Sequence, residues 1–163
     1  MEKEFTKMIN VHRGIIFKVC NLYCHVEEDK KDLFQEIVLQ LWKAFPSFRS
    51  ESLNTSWMYR VALNTAISNF RKESKKPKKK VISESEFQIP DMSFYAEEND
   101  NLNLLKQAIE HLSDIEKAII MLYLEEKSYE EIAQIIGLSL SNVGVRLNRI
   151  KIKLEKLIKT NQS

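Results

Sequence analysis

Apolar residues recur at every third or fourth position along most of this chain, the spacing of amphipathic helices. Phe5, Met8, Ile9, Ile15, Ile16, Val19 and Tyr23 make one broad face of a first helix. After the charged turn EEDKK, a second helix is predicted from Asp32 to Phe45, with Leu33, Phe34, Ile37, Val38, Leu41 and Trp42 inward. Pro46 ends it, because proline lacks the amide a continuing helix needs. The polar stretch SFRSESLN leads to a third helix around Thr55 to Lys72, where Trp57, Val61, Ile67 and Phe70 are the expected core. The pattern lapses, resumes at Leu102, Leu105, Ile109 and Leu112, pauses at SDIE, and continues through Ala118, Ile119, Leu122 and Tyr123.

The last quarter carries the sharpest local signal. Ser128 followed by Glu131 predicts a capping box, in which the serine hydroxyl accepts from the Glu131 amide and the glutamate reaches back. Ile132, Ala133 and Ile136 form the inner face of the helix it starts. Gly137 supplies the left-handed residue that stops it, and Ser139 is a ready N-cap for the next helix, whose Val143, Leu147, Ile150 and Leu154 share one face. This is a helix-turn-helix. Ser141, Asn142, Val145, Arg146 and Arg149 lie off the core face, and Lys151 and Lys153 continue the positive charge. A helix of this kind enters the major groove, with N-terminal side chains near base edges and arginines reaching guanine or phosphate.

Composition changes the picture where the helical pattern lapses. Residues 71–80, RKESKKPKKK, hold seven basic residues against one acidic, and residues 83–100 hold six acidic and no basic ones. Blocks of like charge repel and stay solvated, so no packed core is expected there. The reading is all-α: two small helical domains, residues 1–74 and 101–163, joined by a flexible charged linker at 75–100.

With 163 residues, 44% hydrophobic, and a net charge of only +2, the whole chain has the balance of a globular protein without a global basic field. Any nucleic-acid signal therefore has to come from where the charge sits. Between Arg146 and Lys159 six basic residues face only Glu155, while Glu125, Glu126, Glu130 and Glu131 gather upstream. No apolar run approaches the ~18 residues of a membrane span, and MEKEFTKM lacks the basic-then-apolar order of a secretory signal, so a cytoplasmic protein without membrane insertion is expected. Cys20 and Cys24, four apart in an apolar pattern, suit reduced core thiols. Cys20, Cys24 and His25, with His12 one helical face away, lack an evident fourth metal ligand, and His111 stands isolated, so no metal or other cofactor is expected. The only glycines, Gly14, Gly137 and Gly144, form no phosphate-binding loop, and no nucleophile motif appears. Neither catalysis nor a small-molecule substrate is expected.

From Phe45 to Lys72, aromatic and basic residues interleave: Phe45, Phe48, Arg49, Trp57, Tyr59, Arg60, Phe70 and Arg71. Aromatic platforms for unpaired bases beside arginines for phosphates are the design of a single-strand binder, although aromatics at helical spacing also serve as core.

The order DLFQEIVLQLWKAFPSF, TSWMYRVALNTAISNFRKE, a charged linker, and LKQAIEHLSDIEKAIIMLYLEEKSYEEIAQIIGLSLSNVGVRLNRIKIKL resembles the extracytoplasmic-function (ECF, group IV) sigma factors of bacterial RNA polymerase, over almost the whole chain. Its most specific pieces are Asp32-Leu33-x-Gln35-Glu36 before Trp42, Trp57-x-Tyr59-Arg60 leading to Asn64 and Arg71, and Leu112-Ser113 with Tyr129-x-Glu131-Ile132-Ala133. The resemblance implies that the chain binds core RNA polymerase and directs promoter recognition, melting and initiation, performing no reaction itself. It places polymerase contacts at Asp32, Gln35, Glu36 and Leu39. It places minus-ten recognition at Phe48, Arg49, Asn54, Thr55, Trp57, Arg60, Asn64 and Arg71, where a base of the nontemplate strand is extruded into a pocket. Minus-thirty-five duplex recognition would fall to Ser141, Asn142, Gly144, Val145, Arg146 and Arg149. The family is commonly held inactive by an anti-sigma factor, an expected partner here.

The sequence departs from the family pattern at Ser68, where aspartate is common, and at Gly144 and Val145, where basic and polar residues are. Gly144 weakens the helix by about 1 kcal/mol relative to alanine and shifts the expected DNA contacts toward Arg146, backbone approach at Gly144, and a thymine methyl at Val145. Two other readings compete: a stand-alone helix-turn-helix repressor or activator, and a helical adaptor. The polar patch at Asp32, Gln35 and Glu36 speaks against the first, and the basic final helix against the second.

Overall fold

The computed structural model describes residues 2–47, 54–75 and 100–162. Among them the chain forms α-helices and no strand: α1 Glu2–Val11, α2 Arg13–Tyr23, α3 Glu27–Ala44, a 3-10 turn Phe45–Ser47, α4 Asn54–Lys75, α5 Asp100–Glu110, α6 Asp114–Leu124, α7 Tyr129–Ile136 and α8 Leu140–Gln162. They fall into two compact units, Met1–Ser85 and Glu86–Ser163. The linker expected at 75–100 lies, but for its two end residues, outside the described residues.

In the first unit α4 packs against α2 and α3. The expected first helix is two: His12, at φ −109° and ψ 23°, breaks the rod, and Ile15 N–H donates to His12 O at 3.1 Å. The apolar pattern runs across this break, so it reads as continuous; the hint is that the one apolar residue between Ile9 and Ile15, Val11, is 66% exposed. Helix α3 starts five residues earlier than expected, because EEDKK forms its opening rather than a turn. Glu27, Glu28 and Asp29 sit where the helix dipole favours negative charge, and Lys30 pairs with Glu27 at 3.7 Å.

The core of α4 differs from expectation. Met58, Tyr59, Ala62, Leu63 and Ala66 are buried, Trp57, Val61 and Ile67 are only half-buried, and Phe70 is exposed. The inward face combines the bulky Met58, Tyr59 and Leu63 with the small Ala62 and Ala66, and Trp57 and Phe70 fall outside it. Trp42, expected inward, is exposed at the margin of the core and meets Phe5 edge-on at 5.0 Å; Phe5 also meets Phe45 at 5.4 Å, and Phe45 lies 6.5 Å from Trp57. This aromatic chain ties α1 to the end of α3 and the start of α4.

Cys20 is buried, and burial pushes its thiol up to about 12, with Cys24 adding to the rise and Lys30 partly offsetting it. A thiol so rarely ionised is a poor nucleophile. Mass spectrometry of the native protein after brief iodoacetamide treatment is therefore expected to find Cys24 alkylated and Cys20 intact until denaturant is added; equal labelling would contradict this packing.

The second unit is built around α8, which packs against α5, α6 and α7 through Val143, Leu147, Ile150 and Leu154. The pause at SDIE is a complete capping box. The Ser113 hydroxyl accepts from Glu116 N–H at 3.2 Å, and the Ser113 N–H donates to Glu116 Oε1 at 2.9 Å. Ser128 caps α7 by accepting from Glu131 N–H at 3.1 Å, but the reciprocal half expected there differs: the Glu131 carboxylate accepts from the Ser128 hydroxyl at 3.1 Å and pairs with Lys127 at 3.7 Å. Inside α7 the buried residues are Ile132 and Ile135, with Ala133 and Ile136 half-buried.

The α6–α7 turn holds Glu126 at φ 63°, the one non-glycine residue with positive φ among those described. A Cβ in this region costs about 1–2 kcal/mol, against about 0.4–1 kcal/mol of unfolded-chain entropy that glycine adds. Glu126→Gly is therefore expected to stabilise the second unit by up to about 1 kcal/mol, read as a higher denaturation midpoint with unchanged slope. A lower midpoint would contradict the backbone assignment.

Candidate nucleic-acid and partner interfaces

On α3, burial of Leu33, Ile37 and Leu41 turns another face outward. Asp32 and Gln35 are exposed there, Glu36 is half-buried and accepts from Gln40 Nε2 at 3.0 Å, and Leu39 is 44% exposed. An acid, two amide or carboxylate groups and an accessible leucine on one face give both polar and apolar contact to a partner.

On α4, Arg60, Asn64, Ser68 and Arg71 recur at four- and three-residue steps and are all exposed, making one polar stripe. Thr55 and Trp57 are half-buried at its start. Tyr59 is buried, which assigns it to the core and removes it from the aromatic platforms. Phe48 and Arg49 lie outside the described residues, as does the side chain of Asn54.

In the second unit Gly137 takes φ 84°, the left-handed stop between α7 and α8, and its N–H donates to Ala133 O at 2.8 Å. Ser139 caps α8 by accepting from Asn142 N–H at 3.2 Å. With Val143, Leu147 and Ile150 fully buried, the register of α8 is set. Ser141, Val145 and Arg149 are then exposed, and Asn142 and Arg146 are half-buried. Gly144 lies beside α7: a Cβ there would sit 3.9 Å from the Tyr129 ring, an ordinary contact, so this glycine is flanked by an aromatic rather than open on all sides.

The positive charge of α8 is distributed differently from its sequence. Lys153 Nζ bonds Glu116 Oε1 at 3.2 Å, Lys159 pairs with Glu155 at 3.0 Å, and Lys151 lies over the Tyr123 ring at 4.3 Å. Contact with the Tyr123 side chain favours the charged form and raises the Lys151 pKa. Arg146 and Arg149 have no carboxylate partner among the described residues. Sequence reading missed this because Lys153 and Glu116 stand 37 residues apart, a pairing no local spacing announces. Ser113-x-x-Glu116 was itself a visible capping signature.

Glu116 thus serves a cap and a cation at once. Burial alone would raise its pKa, but the Ser113 amide and the Lys153 ammonium outweigh it and hold the carboxyl below its ordinary range. A depressed carboxylate contributes stability above its unfolded pKa and loses it as pH falls through the folded one. Glu116→Gln is expected to lower the melting temperature of the second unit near neutral pH, with the gap from wild type closing on acidification below the ordinary carboxylate range. A gap independent of pH would contradict the ion pair.

Family models match both units: Sigma-70 region 2 over residues 8–76 and Sigma-70, region 4 over residues 102–154. The chain is 30% identical over 138 residues to the RNA polymerase sigma factor YlaC of Bacillus subtilis, covering 81% of this chain and 79% of that protein. The chain belongs to the ECF sigma factors. It is also 24% identical to the ECF RNA polymerase sigma-E factor of Haemophilus influenzae, over 96% of this chain and 88% of that one. Among solved structures, the fold is similar to the sigma factor RpoE in complex with the anti-sigma factor NepR from Bartonella quintana, with TM-score 0.70, 19% identity, and 96% and 98% of the two chains covered. CnrH in complex with the cytosolic domain of CnrY gives TM-score 0.71 at 19% identity, covering 98% of this chain and 90% of that one. As a sigma factor the protein directs promoter-specific transcription by RNA polymerase, and the stand-alone repressor and adaptor readings are not favoured. No described helix is long and apolar enough to cross a membrane.

Proposed function

We propose that this sigma factor divides its work between two domains, residues 1–74 and 101–163, with residues 75–100 as tether. The α3 face grips core polymerase through Asp32, Gln35, Glu36 and Leu39. The minus-ten element is read by Phe48, Arg49 and Asn54 with Thr55, Trp57, Arg60, Asn64 and Arg71 of α4, and the minus-thirty-five duplex by Ser141, Asn142, Gly144, Val145, Arg146 and Arg149 around α8. Stacking on the aromatic at the head of the α4 stripe offsets the unpairing of an extruded base, and the arginines along it follow phosphates.

The observation that carries this reading is the α4 stripe: Arg60, Asn64 and Arg71 share one exposed face, the track a single strand needs. A duplex-binding regulator has no use for it. The protein acts in the cytoplasm, performs no reaction of its own, and leaves the chemistry to the polymerase. The solved relatives held by an anti-sigma factor and by a cytosolic domain support an anti-sigma partner for this chain too. Such a partner silences it by covering the α3 face with its exposed Leu39.

In vitro transcription with purified core polymerase tests the proposal. Promoter-specific transcripts are expected only when this protein is added, and are lost when Asp32, Gln35 and Leu39 are replaced together while circular dichroism is unchanged. Transcripts retained by that triple variant would refute the α3 assignment.

A further inference from the structure

The rotation of α8 leaves an outermost face different from the one its basic residues suggest. With Val143, Leu147, Ile150 and Leu154 turned to the core, the helical period places Ser141, Val145, Asn148 and Ile152 opposite them. All four are exposed, Val145 at 49% and Ile152 at 48%, and none is charged. Lys153 and Lys159 are engaged by Glu116 and Glu155, and Lys151 by the Tyr123 ring. Arg146 is half-buried beside the core residue Leu147, and Arg149 stands one position off the outermost row. Ser141 has its hydroxyl 3.4 Å from that of the cap residue Ser139. On this face, then, Asn148 is the only side chain with a planar donor–acceptor pair, and it is exposed to solvent.

We infer that Asn148 determines sequence specificity in the upstream element by reading an adenine, with Val145 against a thymine methyl on the adjoining base pair and Arg149 and Arg146 on flanking phosphates. The physical grounds are two. An amide side chain pairs bidentately with adenine N6 and N7, whereas reading guanine O6 and N7 calls for arginine or lysine, which this row lacks. Val145 and Asn148 are three residues apart, a rise of about 4.5 Å at 1.5 Å per residue, between one and two base-pair steps of about 3.4 Å, which lets the two side chains address adjoining pairs. Ile152 lies a further turn along, beyond the N-terminal portion that enters a groove. The inference rests on α8 being the minus-thirty-five reader.

The test uses holoenzyme reconstituted from the full chain and core polymerase, transcribing a pool of promoters randomised through the upstream element, with productive templates sequenced. Wild type is expected to enrich adenine at one position, and Asn148→Ala to reduce that enrichment about tenfold there while other positions keep theirs; Asn148 is exposed, so the variant folds. If Asn148→Ala keeps the adenine preference, or wild type selects guanine or cytosine at every position, Asn148 is not the reader, and α8 still is. If wild type transcribes with no upstream preference at all, the assignment of α8 fails and this inference with it.

Discussion

Leu147→Ala is expected to remove about half of the second unit's stability and spare the first. Leu147 is fully buried at the centre of α8, the helix against which α5, α6 and α7 all pack. Removing its side chain costs about 2–5 kcal/mol in transfer energy and cavity formation. A unit of this size has roughly 3–9 kcal/mol to lose at ~0.05–0.15 kcal/mol per residue. Both tryptophans, Trp42 and Trp57, lie in the first unit, so the two units have separate signals. Tryptophan fluorescence should follow the wild-type denaturation curve while the share of the far-UV circular dichroism change due to the second unit moves to lower denaturant. Ile152→Ala is the control on the same helix: half of its side chain is in solvent, and it should stay within about 0.5 kcal/mol of wild type. A shift of the tryptophan transition by Leu147→Ala would mean that the two units unfold as one.

The double replacement of Arg146 and Arg149 by alanine is expected to abolish productive binding at the upstream element. Hydrogen bonds to a charged group such as a phosphate are worth about 1.5–3 kcal/mol each, so removing two weakens binding by roughly 100-fold to 10⁴-fold. Replacing Lys151 and Lys153 instead should weaken it far less, because those cations already have Tyr123 and Glu116 beside them. Holoenzyme affinity for a promoter duplex across a series of salt concentrations separates the roles. Abolishing one phosphate interaction flattens the log–log salt dependence by about 0.9, whereas abolishing a base interaction lowers affinity without changing the slope. If the lysine pair proves the costlier to remove, the charge of α8 is not partitioned as the ion pairs indicate.

The separation of these two pairs shows where reading the chain alone reached its limit. Six basic residues between Arg146 and Lys159 announced a nucleic-acid helix, and their number was visible at once. Which of them have a carboxylate or a ring beside them was not, since Glu116 and Tyr123 come from a helix far earlier in the sequence. The same holds for α4. Its length and its polar residues were legible, but Trp57 and Phe70 looked like core by size, whereas the buried face that meets α2 and α3 is made by Met58, Ala62 and Ala66.

What the sequence by itself determined is local and periodic: helices from recurring apolar positions, stops at Gly137 and Pro46, caps at Ser128 and Ser139, and an all-α chain whose core on α8 is Val143, Leu147, Ile150 and Leu154. These follow from backbone chemistry and from a repeat of 3.6, both of which act over a few residues. The tertiary structure decided the rest: the break at His12, the inward face of α4, the engagement of Lys151 and Lys153, and the uncharged outer row that includes Asn148. Each depends on which helix lies beside which, and side chains distant in sequence settle that only when packing brings them within a few ångströms.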